Sequence, residues 1–367
     1  MQLKKSSPDF VLFITVLTLL AIGVVMVFSA SEYSTLVYYG DSFHFFKLQL
    51  GWTVLGLLVM YFVMNYDYRR LKQYIWPILL VSFLALIAVL IPGVGQERLG
   101  ARRWIGLGPL GFAPAEMVKL SIIIFTAYGL ARQKDRVKYF TKGVLPYIIV
   151  MGLAAGLILL QPDLGTAVSL AGIVFVMIFA AGARGVHLGG LASLGAAAVG
   201  LAIALKPYRM KRFMAFLDPW ADPQGSGFHI IQGLYAIGSG GFFGLGLGQS
   251  RQKFLYLPEN HTDFIFAIIG EELGFIGASL VIILFLLFIW RGLKIAITSP
   301  DPFASLLATG VTAWLGVQAI INMGVVTGSL PVTGIPLPFI SYGGTSLVFT
   351  MAGVGLLLNI SKFSTPR

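Results

Sequence analysis

The sequence predicts an all-α polytopic membrane protein with ten transmembrane helices, both termini inside, and a long Gly-rich outer loop between spans 7 and 8. Three observations predict it. Of the 367 residues, 57% are hydrophobic and only 11% are charged, against about 25% charged in an ordinary soluble domain. The apolar residues fall in ten runs, each near the ~20 residues that a helix needs to cross a hydrocarbon core. With the N-terminus inside, the short outer loops carry almost no Lys or Arg.

The first run, 10–30, follows Lys4 and Lys5. It is too long for a signal-peptide core and shows no clear small-residue cleavage site, so it reads as a retained span. Further runs lie near 46–64, 74–91, 114–131, 143–160, 164–182, 187–205, 264–290, 303–325 and 340–360. Alternating these spans puts 15 of the 26 Lys and Arg inside and 10 outside, with Lys119 within a span. Nine of the outer ten fall in two long segments, 92–113 and 206–262, and long loops obey the positive-inside rule poorly. The chain reads as one integral membrane domain over 1–367. Its 206–262 segment carries Trp220, Phe228, Tyr235, Phe242 and Phe243 among many glycines, the composition of a large outer loop partly seated in the membrane.

Several function classes drop out. The absence of cysteine excludes disulfides, a thiolate nucleophile and cysteine-held metal. The four histidines lack metal-ligand spacing, and no P-loop, GxSxG or HExxH pattern occurs, which argues against an ATP-driven pump or a standard hydrolase. No internal repeat supports alternating access. The net charge of +11 points to topology and anionic membrane lipid before nucleic acid.

Ionisable residues within spans are costly and so mark candidate sites. Glu116 and Lys119 share one helix face after Pro114; a local ion pair and a substrate role stand level. Asp163 opens a span after Gln161-Pro162, and a helix N-cap is the favoured reading, compatible with facing a cavity. Asp263 lies where the outer loop meets the next span. There a helix N-terminus would make it a poorer base and burial a better one. Glu271 and Glu272 follow eight and nine residues later. At about 100° per residue, Glu271 lies some 80° round from Asp263 and Glu272 nearly opposite. Lys119 or an arginine of the 92–113 loop is the expected partner of at least one of them. Asp263 and Glu271 would stand about 12 Å apart along the helix, too wide for a two-carboxylate glycosidase pair, so one base is assigned. The cluster Lys206, Arg209, Lys211 and Arg212 reads as snorkelling to headgroups. With Arg102, Arg103 and Lys119 beside the cavity, the expected ligand is anionic, and a lipid-linked phosphate fits.

Six motifs come in order: Gly100–Gly106 (GARRWIG), Gln161–Thr166 (QPDLGT), Asp218–Pro223 (DPWADP), Gly246–Ser250 (GLGQS), Leu257–Gly274 with its HTDFIF and GEELG segments, and Pro331–Ser346 (PVTGIPLPFISYGGTS). Together they resemble the shape, elongation, division and sporulation (SEDS) family of peptidoglycan glycosyltransferases over essentially the whole chain. The division and sporulation branches are closer than the rod-shape branch. Asn260 stands where a small residue is expected.

The resemblance implies polymerisation of lipid II into glycan strands at the outer face of the bacterial cytoplasmic membrane, in cell division or spore cortex synthesis. It places the essential acid at Asp263, the loop tryptophan at Trp104 and the later acid at Glu271. Glu116, Lys119 and Asp163 match polar positions of the family cavity, and Arg102, Arg103 and Ser341 join the substrate-binding set. It implies an inverting single displacement with Asp263 as general base, and a divalent cation (Mg or Mn) held through the substrate pyrophosphate. A class B penicillin-binding protein, a transpeptidase, is the implied partner. A lipid II flippase and a non-catalytic scaffold are the competing readings.

Overall fold

The computed structural model describes residues 7–98, 101–106 and 111–364. Its elements, in chain order, are α1 (Phe10–Tyr39), α2 (His44–Asn65), α3 (Leu71–Ala88), the strands β1 (Gly95–Arg98) and β2 (Ala101–Ile105), then α4 (Pro114–Gln133), α5 (Leu145–Leu160), α6 (Leu164–Ala180) and α7 (Gly185–Ala204). There follow α8 (Pro207–Leu217), α9 (Phe228–Gly240), α10 (Ile265–Thr298), α11 (Pro302–Val326) and α12 (Gly344–Ser361).

Every apolar run read from the sequence is a helix. Among the described residues nine helices are long and apolar enough to cross a membrane. The remaining run, α6, has 17 residues, about 25 Å of rise against a hydrocarbon core of about 30 Å. It starts at the Asp163 cap. The described residues of the 92–113 and 206–262 segments carry regular structure that their composition did not suggest. The first holds an antiparallel hairpin, so the fold is all-α with one small sheet. The second holds two amphipathic helices, α8 and α9.

The most buried spans, α4, α11 and α12, form the centre of the bundle. α11 packs on α4, α6 and α10, while α12 packs along α2. Trp314 of α11 is wholly buried there. α7 stands at the periphery, has no buried residue, and touches α6 and α8.

α10 is broken at Gly274, whose φ of 65° and ψ of −163° lie outside the helix. The break leaves backbone groups unpaired in an apolar setting, where each would cost several kcal/mol. The chain after α9 satisfies them. Leu245 and Gly246 donate to the carbonyls of Glu271 and Glu272 at 3.0 Å, while Phe275 and Ile276 donate to Gly241 and Phe242. A Cβ at Gly274 would meet the Gly244 nitrogen at 2.3 Å, so this crossing requires glycine.

Candidate functional site

The hairpin explains why two adjacent arginines part company. Gln96 pairs with Trp104 and Glu97 with Arg102, with a bulge between them, which leaves Arg103 as the extra residue. A bulge bends a strand and re-aims one side chain. Arg102 stays on the outer surface in an ion pair with Glu97 at 3.2 Å. Arg103 turns inward onto the α5–α6 turn, donating to the carbonyls of Gln161 at 3.2 Å and Pro162 at 2.6 Å. It also meets Asp163 at 3.3 Å. Arg102 is therefore corrected from the cavity to the surface, and Trp104 lies half-buried on β2.

Asp163 is the N-cap of α6, accepting the Thr166 N–H at 2.9 Å. It is a buried cap with Arg103 as partner, between the cavity-lining Pro162 and Leu164. Glu116 and Lys119 form the expected ion pair, at 2.8 Å with both side chains buried. Lys119 also reaches Gln318 Oε1 at 3.3 Å and lies over the Trp314 ring. The second oxygen of Glu116 has no hydrogen-bond partner among the described residues.

Asp263 sits in the turn before α10, outside the span, but the cap residue of α10 is Phe264. Two side-chain interactions hold the turn. Asn322 Nδ2 donates to the Asp263 carbonyl at 2.8 Å, and Ser341 Oγ donates to the Thr262 carbonyl at 2.6 Å. Ser341 also accepts the Leu337 N–H at 2.8 Å. Its hydroxyl is thus engaged in joining the 331–342 segment to the Asp263 turn, which corrects its assignment from substrate contact to support. The Asp263 carboxylate itself is half-buried and stands against Gly334, where a Cβ would lie 3.2 Å from Oδ2.

The opposing effects at Asp263 now resolve. Burial pushes its carboxyl up to about 7, Glu259 and Asp163 add to the rise, and Arg103 and Arg212 oppose it. A carboxyl in this range is half ionised near neutrality, as a general base should be. Burial lowers the neighbouring His261 imidazole to about 4, so it is neutral. It stacks on Phe45 at 4.5 Å.

A cavity of about 220 Å³ lies near this turn; Asp263 is not in its lining, but Thr333, next to Gly334, is, as are two arginines that act on Asp263, Arg103 and Arg212. Arg103, Arg209 and Arg212 supply its charge, Tyr208 and Thr333 its polar edge, and residues such as Val168, Val199 and Ile203 its apolar wall. Two members of the basic cluster, Arg209 and Arg212, therefore face a cavity rather than headgroups alone. The spacing 209, 212, 213 puts them with Phe213 on one face of α8. A site with guanidinium groups at one side and aliphatic side chains at the other suits a lipid-linked phosphate.

Among the described residues, Glu271 and Glu272 meet neither Lys119 nor an arginine of the 92–113 loop. Glu271 accepts from Ser250 Oγ and from the backbone N–H groups of Arg251 at 2.9 Å and Gln252 at 3.4 Å. Glu272 takes the Ser29 hydroxyl at 2.7 Å and the Ser250 N–H at 3.3 Å. Both carboxylates grip the loop that leads to the Asp263 turn, so Glu271 is corrected from cavity lining to loop support. The two polar residues that sequence reasoning passed over are Gln318 and Asn322. They are four apart on an apolar helix, a signal of one polar face that a search confined to ionisable residues misses.

With this geometry in hand, comparison decides the family. A family model described as cell cycle protein, covering FtsW, RodA and SpoVE, matches residues 10–366. The chain belongs to this FtsW–RodA–SpoVE family. It is 48% identical over 365 residues to stage V sporulation protein E of Bacillus subtilis (strain 168), covering 99% of this chain and 100% of that protein. It is 42% identical over 353 residues to the probable peptidoglycan glycosyltransferase FtsW of Geobacter metallireducens, covering 96% of this chain and 94% of that one. Among solved structures, a chain of a peptidoglycan synthase complex that coordinates polymerization and crosslinking superposes with a TM-score of 0.80. It is 34% identical, with 96% of this chain and 97% of that chain covered. The rod shape determining protein RodA of Thermus thermophilus superposes with a TM-score of 0.73 at 30% identity, with 98% of each chain covered. The SEDS resemblance, its polytopic fold and its nearness to the FtsW and SpoVE branches are borne out.

Proposed function

We propose that this peptidoglycan glycosyltransferase polymerises lipid II with Asp263 as general base. The observation that carries the reading is a half-buried carboxylate of raised basicity near a cavity with three arginines and an aliphatic wall. The acceptor sugar's 4-hydroxyl gives its proton to Asp263 as its oxygen attacks the donor's anomeric carbon. The bond to the lipid diphosphate breaks, and the diphosphate leaves with the bonding electrons. One displacement with inversion converts the α-linked donor into a β-linked strand. Arg103, Arg209 and Arg212 neutralise the leaving diphosphate, while Val168, Val199 and Ile203 accommodate the start of its lipid chain.

Among the described residues no group of three or more His, Asp or Glu can hold a metal ion. The donor set fits an anion and not a protein-held cation, so a divalent ion would arrive as the counter-ion of the diphosphate. The site faces outside with both termini inside, as the charge pattern of the loops supports. A class B transpeptidase partner is supported by the likeness to a chain of a synthase complex.

The test is glycan polymerisation from purified lipid II by the wild type and by Asp263→Ala, each with and without the cognate transpeptidase. Polymer from the wild type alone supports the reading. Polymer from a folded Asp263→Ala protein would refute it, and a wild type that moves lipid II across a bilayer without joining it would favour the flippase.

A further inference from the structure

The turn that carries Asp263 holds a second carboxylate, four residues upstream, with no part in the reaction above. The chain between the two is closed tightly. The Glu259 carbonyl accepts the N–H of Thr262 at 3.2 Å and of Phe264 at 3.1 Å. The Thr262 hydroxyl donates to Glu259 Oε2 at 2.7 Å. Glu259 has a φ of 53°, in the left-handed region where glycine and asparagine are at home and a glutamate is strained. The turn is also pinned from outside, since Tyr342 donates to the His261 carbonyl at 2.9 Å, beside the Ser341 and Asn322 bonds already described. The Glu259 carboxylate cannot swing away from Asp263 without breaking its bond to Thr262.

We infer that Glu259 is a positioning residue for the reaction, a fixed negative charge that strengthens Asp263 as a base by like-charge repulsion. The inference rests on Asp263 being that base. Four charged groups face Asp263: Glu259 from its own turn, Asp163 from the start of α6, Arg103 from the β2 bulge and Arg212 from α8. Glu259 in turn faces His261 of the turn and His229 of α9. Burial raises Asp263 most, Glu259 next and Asp163 after it, while Arg103 and Arg212 oppose them. Asp163 is itself engaged by Arg103 and by the α6 cap. Glu259 makes no ion pair among the described residues, and its carboxylate is held by the Thr262 hydroxyl. The arginines needed to bind a diphosphate are thereby kept from disabling the base beside them.

The experiment is the pH–rate profile of lipid II polymerisation by the purified full-length chain with its cognate transpeptidase. Wild type, Glu259→Gln, Glu259→Asn, Glu259→Asp and Asp263→Ala are compared, with thermal unfolding in the same detergent as the folding control. Wild-type activity should rise through about pH 7 as Asp263 ionises. In Glu259→Gln the midpoint should fall by about one unit, because the repulsion is gone. Glu259→Asn suits the left-handed backbone and should fold at least as well, yet show the same fall. Glu259→Asp keeps the charge and should return the midpoint toward wild type. Unchanged midpoints in the Gln and Asn variants, with Asp263→Ala inactive, would overturn this inference alone. Folded Gln and Asn variants inactive at every pH would overturn it too, since tuning moves the profile and does not abolish it. An active Asp263→Ala protein would overturn the base assignment and this inference with it.

Discussion

Asn322 donates its amide to the backbone carbonyl of Asp263 at 2.8 Å, and the same nitrogen donates to the Ile335 carbonyl at 2.8 Å. One buried side chain on α11 thus ties the turn before α10 to the extended segment before α12. The base is positioned by an amide on a third helix rather than by the helix it precedes.

Replacing Asn322 by Leu strips both carbonyls of their donor inside the protein, at about 1–3 kcal/mol each. The melting temperature in detergent should fall, and lipid II polymerisation should fall more than tenfold as the Asp263 turn loosens. Wild-type activity in Asn322→Leu would show that the Ser341 and Tyr342 bonds suffice to hold the turn.

The Glu116–Lys119 pair should behave as a buried ion pair. Lys119→Met leaves the Glu116 charge uncompensated, and removal of one buried partner costs about 3–5 kcal/mol. The double variant Glu116→Gln with Lys119→Met should recover much of that loss in stability. Additive losses in a double-mutant cycle of unfolding free energies would argue against coupling across the 2.8 Å contact.

The β-bulge predicts opposite fates for neighbouring arginines. Arg102→Ala removes an exposed pair with Glu97, worth about 0–1 kcal/mol, and should leave polymerisation within about twofold of wild type. Arg103→Lys cannot reach two carbonyls and the Asp163 carboxylate together, so activity should drop at least about tenfold. Equal effects at the two positions would contradict the inward aim of Arg103.

The long apolar helices were legible because hydrophobic runs of about 20 residues report on the bilayer. The Glu116–Lys119 pair was legible because charge in a span is rare, and Asp163 and Asp263 because each acid stands where a loop meets the start of an apolar run. The aim of each arginine was not, since it depends on a bulge between Gln96 and Glu97 that only the pairing register reveals. The partners of Glu271 and Glu272 were equally hidden. Helical angles measured from Asp263 do not apply, because Asp263 lies in the turn before α10 begins at Ile265, and the groups the two acids bind are two serine hydroxyls and backbone N–H groups of 250–252, which no charge pattern reveals. Arg209 and Arg212 look like headgroup anchors until α8 folds back over the cavity.

Glu271→Ala should release the loop it holds. Ser250 Oγ and the amides of Arg251 and Gln252 lose their acceptor, and the exposed Arg251 should be cut faster by trypsin in limited proteolysis. A cleavage rate equal to wild type would mean that Glu272 alone secures the loop.

The central claim is that Asp263 takes the acceptor's proton and does not merely hold substrate. Asp263→Asn keeps the shape of the side chain and removes its basicity, so binding of lipid II and glycan polymerisation should be measured on the same purified sample. Undiminished binding with polymer formation reduced by about 10²-fold or more is the expected result. Polymerisation at the wild-type rate by a folded Asp263→Asn protein would contradict the claim.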